Sequence, residues 1–443
     1  MINGNNEASP LLSIRVPLSK IRHYLSTFEL TRGFLAALLG SAFIYLEHWG
    51  FSHPLLTTLL GLLSLYLLLD APAPKTWFFY GFFTALLWFW WIGLSFIHYK
   101  MLWVIPFVEL AIAAIYGVIF WFIAKTAYTI QSRLSSALSP LPSLIIKSSG
   151  LLGMSYLHPF GFDWFKPELM FVNSYLGIEK WQFALVLLSL TVTLWKKQFL
   201  YLLLLLLAYQ PDTQHQEPPN DKIQIVTTYT TVEEKWDKTL HGTQFKKLFA
   251  SIDKAIDEKK TLIILPESVF PVFIGHSEEV MKALQKRAKK ISIVTGGLYW
   301  DGETPRNSAY IFRKNHVTVA NKVILVPFGE SNPLPDFLSK WVNKIFYDGA
   351  VDYKASKDVI DYTIGGTTYR NAICFEATSE KLYENNPKNM IVLSNNGWFI
   401  PSIEPTLQRL LLQYYSKKYG TTIYHSINMS PSYIIQKGRM TKI

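Results

Sequence analysis

The chain carries one cysteine in 443 residues, Cys374, within Ala372-Ile373-Cys374-Phe375-Glu376. A lone cysteine is ordinarily a small buried hydrophobe. It becomes a nucleophile only where a base and an anion stabiliser converge on it. Two other short segments supply those types. Glu267 sits in Pro266-Glu267-Ser268, and Lys322 sits in Asn321-Lys322-Val323 ahead of Pro327-Phe328-Gly329-Glu330. A carboxylate within hydrogen-bond reach can take the thiol proton. A fixed ammonium can stabilise the oxyanion that forms when a thiolate attacks an ester or amide carbonyl, and it also lowers the thiol pKa. Glu, Lys and Cys are therefore sufficient for acyl transfer through a thioester without metal or cofactor. The histidines His241, His276, His316 and His425 show no ligand spacing, so no metal is expected.

These residues need strands to place them. Thr261–Leu265 runs into Glu267, Asn371–Phe375 holds Cys374, and Met390–Ser394 leads into Asn395-Asn396-Gly397-Trp398. Further strands are expected at Lys222–Thr227, Ile291–Gly296 and Ala309–Arg313, with helices at Glu233–Asp257, Glu278–Lys289 and Thr406–Tyr419. Strands alternating with helices indicate a layered α/β unit, and strand C-termini are where such sheets collect reactive groups. Two segments are unusually apolar for loops, Val269–Gly275 and Pro333–Phe346. Beside a bilayer they read as arms dipping into lipid, or as surfaces packed on the membrane half.

The first half has another composition. The chain is 50% hydrophobic and 17% charged, and a mean hydropathy of +0.17 averages two different solvents. A spanning helix needs about 20 mostly apolar residues. Thr76–Ile97 and His53–Leu69 are uncharged, and Met101–Ala124 is apolar except for Glu109. Gly33–Leu46, Leu144–Phe160, Leu169–Trp195 and Phe199–Tyr209 complete seven expected spans. Glu109 lies near an end of its span, where snorkelling to the interface explains it. An N-terminus inside places Arg15, Lys20, Arg22, Arg32, Lys75, Lys125, Arg133, Lys196 and Lys197 in the cytoplasm. Lys100, Lys166 and Lys180 fall outside, and the positive-inside rule prefers that arrangement. Everything after Tyr209 is then delivered to the far side. The expected domains are a transmembrane bundle over 1–210, a Pro-rich linker over 211–221 and a catalytic unit over 222–443. The net charge of +11 lacks any nucleic-acid recognition motif and suits anionic lipid headgroups. No nucleic-acid partner is expected.

Glu in a PES turn, Lys in an NK segment and Cys in an ICFE segment, in that order, resemble the nitrilase superfamily. Preceded by a multi-span half, the chain is similar to its membrane-embedded branch, the apolipoprotein N-acyltransferases. KVILVPFGE, the pair Lys235-Trp236, SNNGWF, GFFTALLWFWW and FGFDW carry the likeness further. The resemblance implies a helical transmembrane bundle followed by an α-β-β-α sandwich. It makes Glu267 the general base, Lys322 the oxyanion lysine and Cys374 the acyl-carrying nucleophile. Glu330 would hold the lysine, and Glu376 matches an acid two places after the nucleophile. Trp236 would handle the acyl substrate, core packing being its alternative. Phe375, Asn395 and Trp398 would line the pocket, a simple turn being the alternative for the last two.

The implied reaction moves a fatty acyl chain from a phospholipid, phosphatidylethanolamine above all, to the α-amino group of a diacylated apolipoprotein's cysteine. The implied location is the bacterial inner membrane, with a monomeric enzyme whose catalytic unit is periplasmic. A membrane-anchored amidohydrolase is the rival enzyme reading, and a degenerate binding module the non-enzymatic one. Three departures stand out. Phe375 replaces a commoner Tyr, Gln408-Arg409 stands where QH and R-x-x-E are usual, and the sequence stops at Ile443 before an expected further strand and span.

Overall fold

A computed structural model describes residues 27–134, 140–210, 218, 220–332 and 353–443. Among the described residues, the longer α-helices of the first half are α1 (Thr27–His48), α2 (Pro54–Leu69), α3 (Pro74–Phe89), α4 (Ile105–Gln131), α5 (Leu141–Gly153) and α6 (Lys180–Lys196). A 3-10 turn and a short helical turn extend α3 to His98, and a ten-residue 3-10 helix, Phe199–Ala208, follows α6. Among the described residues, an apolar helical segment overlaps each of the seven expected stretches. Three of them, Thr27–His48, Pro74–His98 and Leu102–Gln131, are long and apolar enough to cross a membrane. Their outward faces expose residues such as Phe107, Leu110 and Phe122, the surface that lipid covers.

Small residues bring the inward faces together. A Cβ on Gly81 of α3 would stand 2.5 Å from the Tyr116 carbonyl oxygen of α4. The Trp88 indole N–H donates to Ser41 Oγ at 3.1 Å, and Ser64 Oγ donates to the Ala36 carbonyl at 2.7 Å. Lys147, which interrupts the fifth apolar stretch, is buried. Its ammonium donates to the carbonyls of Leu69 and Ala71 at 3.2 and 2.6 Å, serving the orphan acceptors at the end of α2.

The sixth segment corrects the expectation of one helix from Leu169 to Trp195. Pro167–Phe171 is a separate 3-10 turn, and α6 begins only at Lys180. The Glu179 N-cap and Gln182 form a reciprocal capping box, with the Glu179 N–H donating to Gln182 Oε1 at 3.1 Å. A capping box marks a helix start, so the helix does not extend back through Gly177. The fifth helix likewise stops at Gly153 rather than Phe160.

In the second half, β1 (Ile223–Ile225), β2 (Leu262–Ile264), β4 (Ser292–Trp300), β5 (Pro305–Arg313) and β6 (His316–Asn321) form one sheet in that order, with β3 (Phe270–Phe273) also on β4. The second sheet runs β12 (Arg439–Lys442), β11 (Tyr433–Gln436), β10 (Thr422–Asn428), β9 (Asn389–Asn395), β8 (Thr367–Ile373), β7 (Asp361–Ile364). β1, β2 and β4 are mutually parallel, as are β8, β9 and β10. One apolar cluster, including Ile264, Val294, Ile311, Ile373 and Leu393, fills the space between the sheets. A second lies under α8 (His241–Asp257) and α9 (Glu278–Ala288). The fold is thus a helical membrane half followed by an α-β-β-α sandwich. The helix expected over Glu233–Asp257 is two, α7 (Val232–Trp236) and α8. Asp237 accepts from Thr239 N–H and Oγ1, a local turn that competes with helix.

The outer layer of the second sheet is α10 (Glu404–Tyr419), and its cluster runs without a break into the membrane half, from Leu407, Leu411 and Tyr433 to Phe171, Trp88 and Ala36. Arg409 on α10 pairs with Glu47 at the end of α1 at 2.9 Å, and His48 Nδ1 lies 2.9 Å from Thr406 Oγ1. Val269–Gly275 is not a lipid arm. Phe270 and Ile274 are fully buried, and the Phe270 ring lies 5.1 and 5.6 Å from Phe245 and Phe249 of α8. Pro333–Phe346 lies outside the described residues, as does most of the 211–221 segment.

Replacing Gly81 by Val should separate α3 from α4 and cost about 1–3 kcal/mol, as overpacking does. Thermal unfolding in detergent should show a lower midpoint for G81V, whereas Gly153→Val, whose Cβ meets nothing within 4 Å, should lose less.

Candidate active site

Glu267 lies where β2 ends and the chain crosses to β3, both strands pairing with β4. Between the two pairings sits Gly296. A Cβ there would lie 2.6 Å from Glu267 Cα and would also meet the Ser268 amide nitrogen. Only glycine lets the Glu267 backbone come this close. The Glu267 carboxylate is 7% exposed and accepts from Asn307 Nδ2 at 2.7 Å. Burial raises its pKa above 4.5, against the pull of Lys322.

Lys322 follows β6 directly, its N–H donating to the Asn307 carbonyl on β5 at 2.9 Å. Its side chain is 2% exposed, and its ammonium meets Glu330 Oε2 at 2.8 Å. Burial alone would lower this pKa, but the charges of Glu330 and Glu267 outweigh it and hold the ammonium above its usual range. Glu330 uses both oxygens. Oε1 accepts from Asn307 Nδ2 at 2.8 Å, and Oε2 also accepts from the Val326 N–H at 2.9 Å. The Asn307 amide therefore bridges the two glutamates.

Cys374 stands at the end of β8 with φ +53°, a left-handed conformation that costs a non-glycine residue about 1–3 kcal/mol. Glu376 holds the turn. Its Oε1 accepts from Ile373 N–H at 2.8 Å, and its Oε2 accepts from Val323 and Ile324 N–H at 2.7 and 3.1 Å. One carboxylate thus ties the residues beside the thiol to those beside Lys322. Burial lifts the Glu376 pKa to about 7, against Lys322 and these backbone donors.

The Cys374 side chain is only partly buried. Its pKa is raised by burial first and the Glu267 charge second, with Lys322 opposing both. Gln408 Nε2 on α10 approaches the sulfur at 3.8 Å.

The remaining sequence candidates occupy distinct places. The Phe375 ring stacks on Phe162 and Trp164 of the membrane half, with centroids 5.6 and 6.1 Å away. Trp398 is partly buried and stacks on Tyr99 at 6.1 Å. Asn395 accepts from the Gly397 N–H and from Asn428 Nδ2 at 3.3 and 2.7 Å, so it holds the turn that follows β9. Trp236 is 44% exposed at the end of α7.

Its neighbour Lys235 points the other way, is 2% exposed, and donates to the Glu267 carbonyl at 3.2 Å. Burial lowers the Lys235 pKa to about 8, with Glu267 and Cys374 opposing. Sequence reasoning stopped at the tryptophan of this pair and missed the lysine. It also missed Asn307, which lies mid-strand without any motif, and the reach of Gln408 to sulfur.

Glu376→Ala would leave three buried N–H groups without an acceptor, each costing about 1–3 kcal/mol. Its unfolding midpoint should fall well below that of Glu376→Gln, which keeps one carbonyl oxygen. Thermal scans of both variants beside the parent protein check this.

Residues 27–212 match the family model described as the apolipoprotein N-acyltransferase integral membrane domain. The chain is 41% identical to an apolipoprotein N-acyltransferase of Wolinella succinogenes over 90% of this chain and 94% of that one. It is 37% identical to that of Helicobacter hepaticus, over 86% and 94% of the two chains. For that of Campylobacter jejuni the identity is 31%, over 92% and 90%. Among solved structures, a CN-hydrolase superfamily protein from Xanthomonas campestris aligns with half of this chain and 85% of its own, at TM-score 0.38 and 12% identity. By its likeness to relatives matched across nearly their whole length, the chain belongs to the apolipoprotein N-acyltransferase family of integral membrane acyltransferases.

Proposed function

We propose that Cys374 takes a fatty acyl chain from a membrane phospholipid, phosphatidylethanolamine in the first instance, and passes it to the α-amino group of an apolipoprotein's diacylglyceryl-cysteine. The observation that carries this reading is the hydrogen-bonded unit that joins Glu267, Glu330 and Lys322 and, through Glu376, ties the Lys322 backbone to the Cys374 turn, beside a partly exposed thiol whose next residue packs against the membrane half. Glu267 accepts the thiol proton as sulfur attacks the ester carbonyl. Lys322, fixed by Glu330, holds the oxyanion. The carbon–oxygen bond breaks, Glu267 returns the proton to the leaving alkoxide, and lysophospholipid departs. The acceptor amine then attacks the thioester, the carbon–sulfur bond breaks, and the thiol re-forms.

Low exposure of Glu267 and Lys322 supports exclusion of water from the thioester. Glu376 positions the cysteine turn, Phe375 forms a wall shared with the membrane half, and Asn395 and Trp398 line the substrate pocket from the turn after β9. Trp236 is the exposed ring available to an acyl chain. The positive-inside arrangement of the apolar half supports a periplasmic catalytic unit, 222–443, in a bacterial inner membrane, with 1–210 as the embedded part and 211–221 between them. The working unit of this reading is a monomer.

Incubating the purified protein with labelled phospholipid should place one acyl chain on the Cys374 peptide, seen by mass spectrometry. A diacylated lipopeptide should then acquire an amide-linked third chain. Cys374→Ala and Glu267→Gln should abolish both signals, and Lys322→Ala should slow acylation by about 10²–10³-fold, the loss of one oxyanion donor. Release of free fatty acid without an acceptor would overturn the transferase reading in favour of hydrolysis.

The pH dependence has a definite sign. Glu267 must be ionised to take a proton, and burial raises its pKa above 4.5. Acylation should therefore fall as pH drops through a value above 4.5. Lys235 lowers the Glu267 pKa, so Lys235→Met should move this acidic limb to higher pH. Single-turnover acylation rates across pH measure both.

A further inference from the structure

The thiol has a second polar side that the acylation step does not use. Glu404 and Gln408 lie one turn apart on α10 and share a face, and Gln408 Nε2 fixes that face toward Cys374 Sγ at 3.8 Å. Glu404 is 2% exposed and Gln408 1% exposed, and Tyr433 on β11 is also buried. Among the described residues, Glu404 Oε2, Gln408 Oε1 and the Tyr433 hydroxyl are buried without a hydrogen-bond partner. The charge of Glu404 reaches both Cys374 and Glu267, and Tyr433 senses both Glu404 and Cys374.

An unsatisfied buried polar atom costs about 1–3 kcal/mol, so three near one nucleophile call for a ligand. On the opposite side the carboxylates and the ammonium are occupied, Glu267 and Glu330 by Asn307 Nδ2 and Lys322 by Glu330, and the unpartnered atom there is the neutral Asn307 Oδ1.

The free atoms define the ligand. An ionised carboxylate and an amide oxygen only accept, while the Tyr433 hydroxyl serves either way, so Glu404 and Gln408 Oε1 suit a partner that brings N–H donors. A phospholipid ester brings none at its reacting carbonyl, whereas the second substrate of a thioester transferase brings an ammonium with three. We infer that Glu404 and Gln408 Oε1 form the docking site for the acceptor's α-ammonium, with Glu404 taking the proton that frees the nitrogen lone pair. This rests on the thioester reading above.

The step balances. The ammonium gives one proton to Glu404, and the amine nitrogen bonds to the thioester carbonyl carbon. The carbon–sulfur bond breaks, and a second nitrogen proton goes to the leaving sulfur. Amide, thiol and neutral Glu404 result. Burial followed by the Glu267 charge raises the Glu404 pKa to about 8, so the carboxylate form that accepts this proton grows as pH rises.

The test separates the half-reactions. Acyl-enzyme of the parent protein, Glu404→Gln and Glu404→Asp is prepared from labelled phospholipid and then challenged with a diacylated lipopeptide or with hydroxylamine. Hydroxylamine is uncharged at neutral pH and needs no carboxylate to become nucleophilic. Glu404→Gln should still form acyl-enzyme and still discharge to hydroxylamine, which also shows that it is folded. Its apparent KM for the lipopeptide should rise by about tenfold or more, the loss of a charge-assisted contact, with partial recovery in Glu404→Asp. Normal acylation with unchanged lipopeptide kinetics in Glu404→Gln would overturn the ammonium site alone. Absence of any acyl-enzyme in the parent would overturn the thioester reading and this site with it.

Discussion

An ammonium that is 2% exposed dictates much of what surrounds it. Leaving Lys322 unpaired in that position would cost several kcal/mol, so the fold must bring anions to it. Glu330 arrives on the chain that follows β6, Glu267 from the crossing between β2 and β3, and the Asn307 amide keeps the two carboxylates in register. Glu376 then fastens the backbone next to Lys322 to the backbone next to Cys374. The charge that can hold an oxyanion and the sulfur that can create one are therefore parts of a single hydrogen-bonded unit, spanning both sheets.

That unit is also coupled to the membrane half. The rings of Phe162 and Trp164 lie against Phe375, the Trp164 indole donates to Thr378 Oγ1 at 2.6 Å, and Trp91 meets Phe399 at 4.9 Å. Buried Glu168 of the membrane half accepts from Tyr414 of α10 at 3.1 Å while paired with Lys180 at 2.5 Å. The apolar cluster around α10 is continuous from one half to the other, with these polar contacts set beside it. Aromatic rings dominate this seam because they bury large areas with few rotatable bonds.

Much of this was legible beforehand. Uncharged apolar runs located the helical segments, and β-type runs ending in Glu267, Cys374 and Asn395 located the strands that carry the site. What was not legible depends on partners remote in sequence. Gln182 turns Glu179 into a helix start, cutting short a hydrophobic run that looked continuous. Phe270 is an interior residue only because α8 covers it with Phe245 and Phe249, so its segment read as an exposed apolar arm. β10, β11 and β12 complete a sheet whose central strands alone had a clear signal. Asn307 matters because strand pairing sets it beside two glutamates, and Glu404 because its helix faces the thiol; neither fact leaves a local trace.

The stacking of Phe375 on Phe162 and Trp164 has a geometric consequence. The offset between the sulfur and the hydrophobic slab is fixed by ring against ring, not by the length of a tether. On the proposed chemistry, such a fixed offset would decide which ester along a lipid the sulfur can reach.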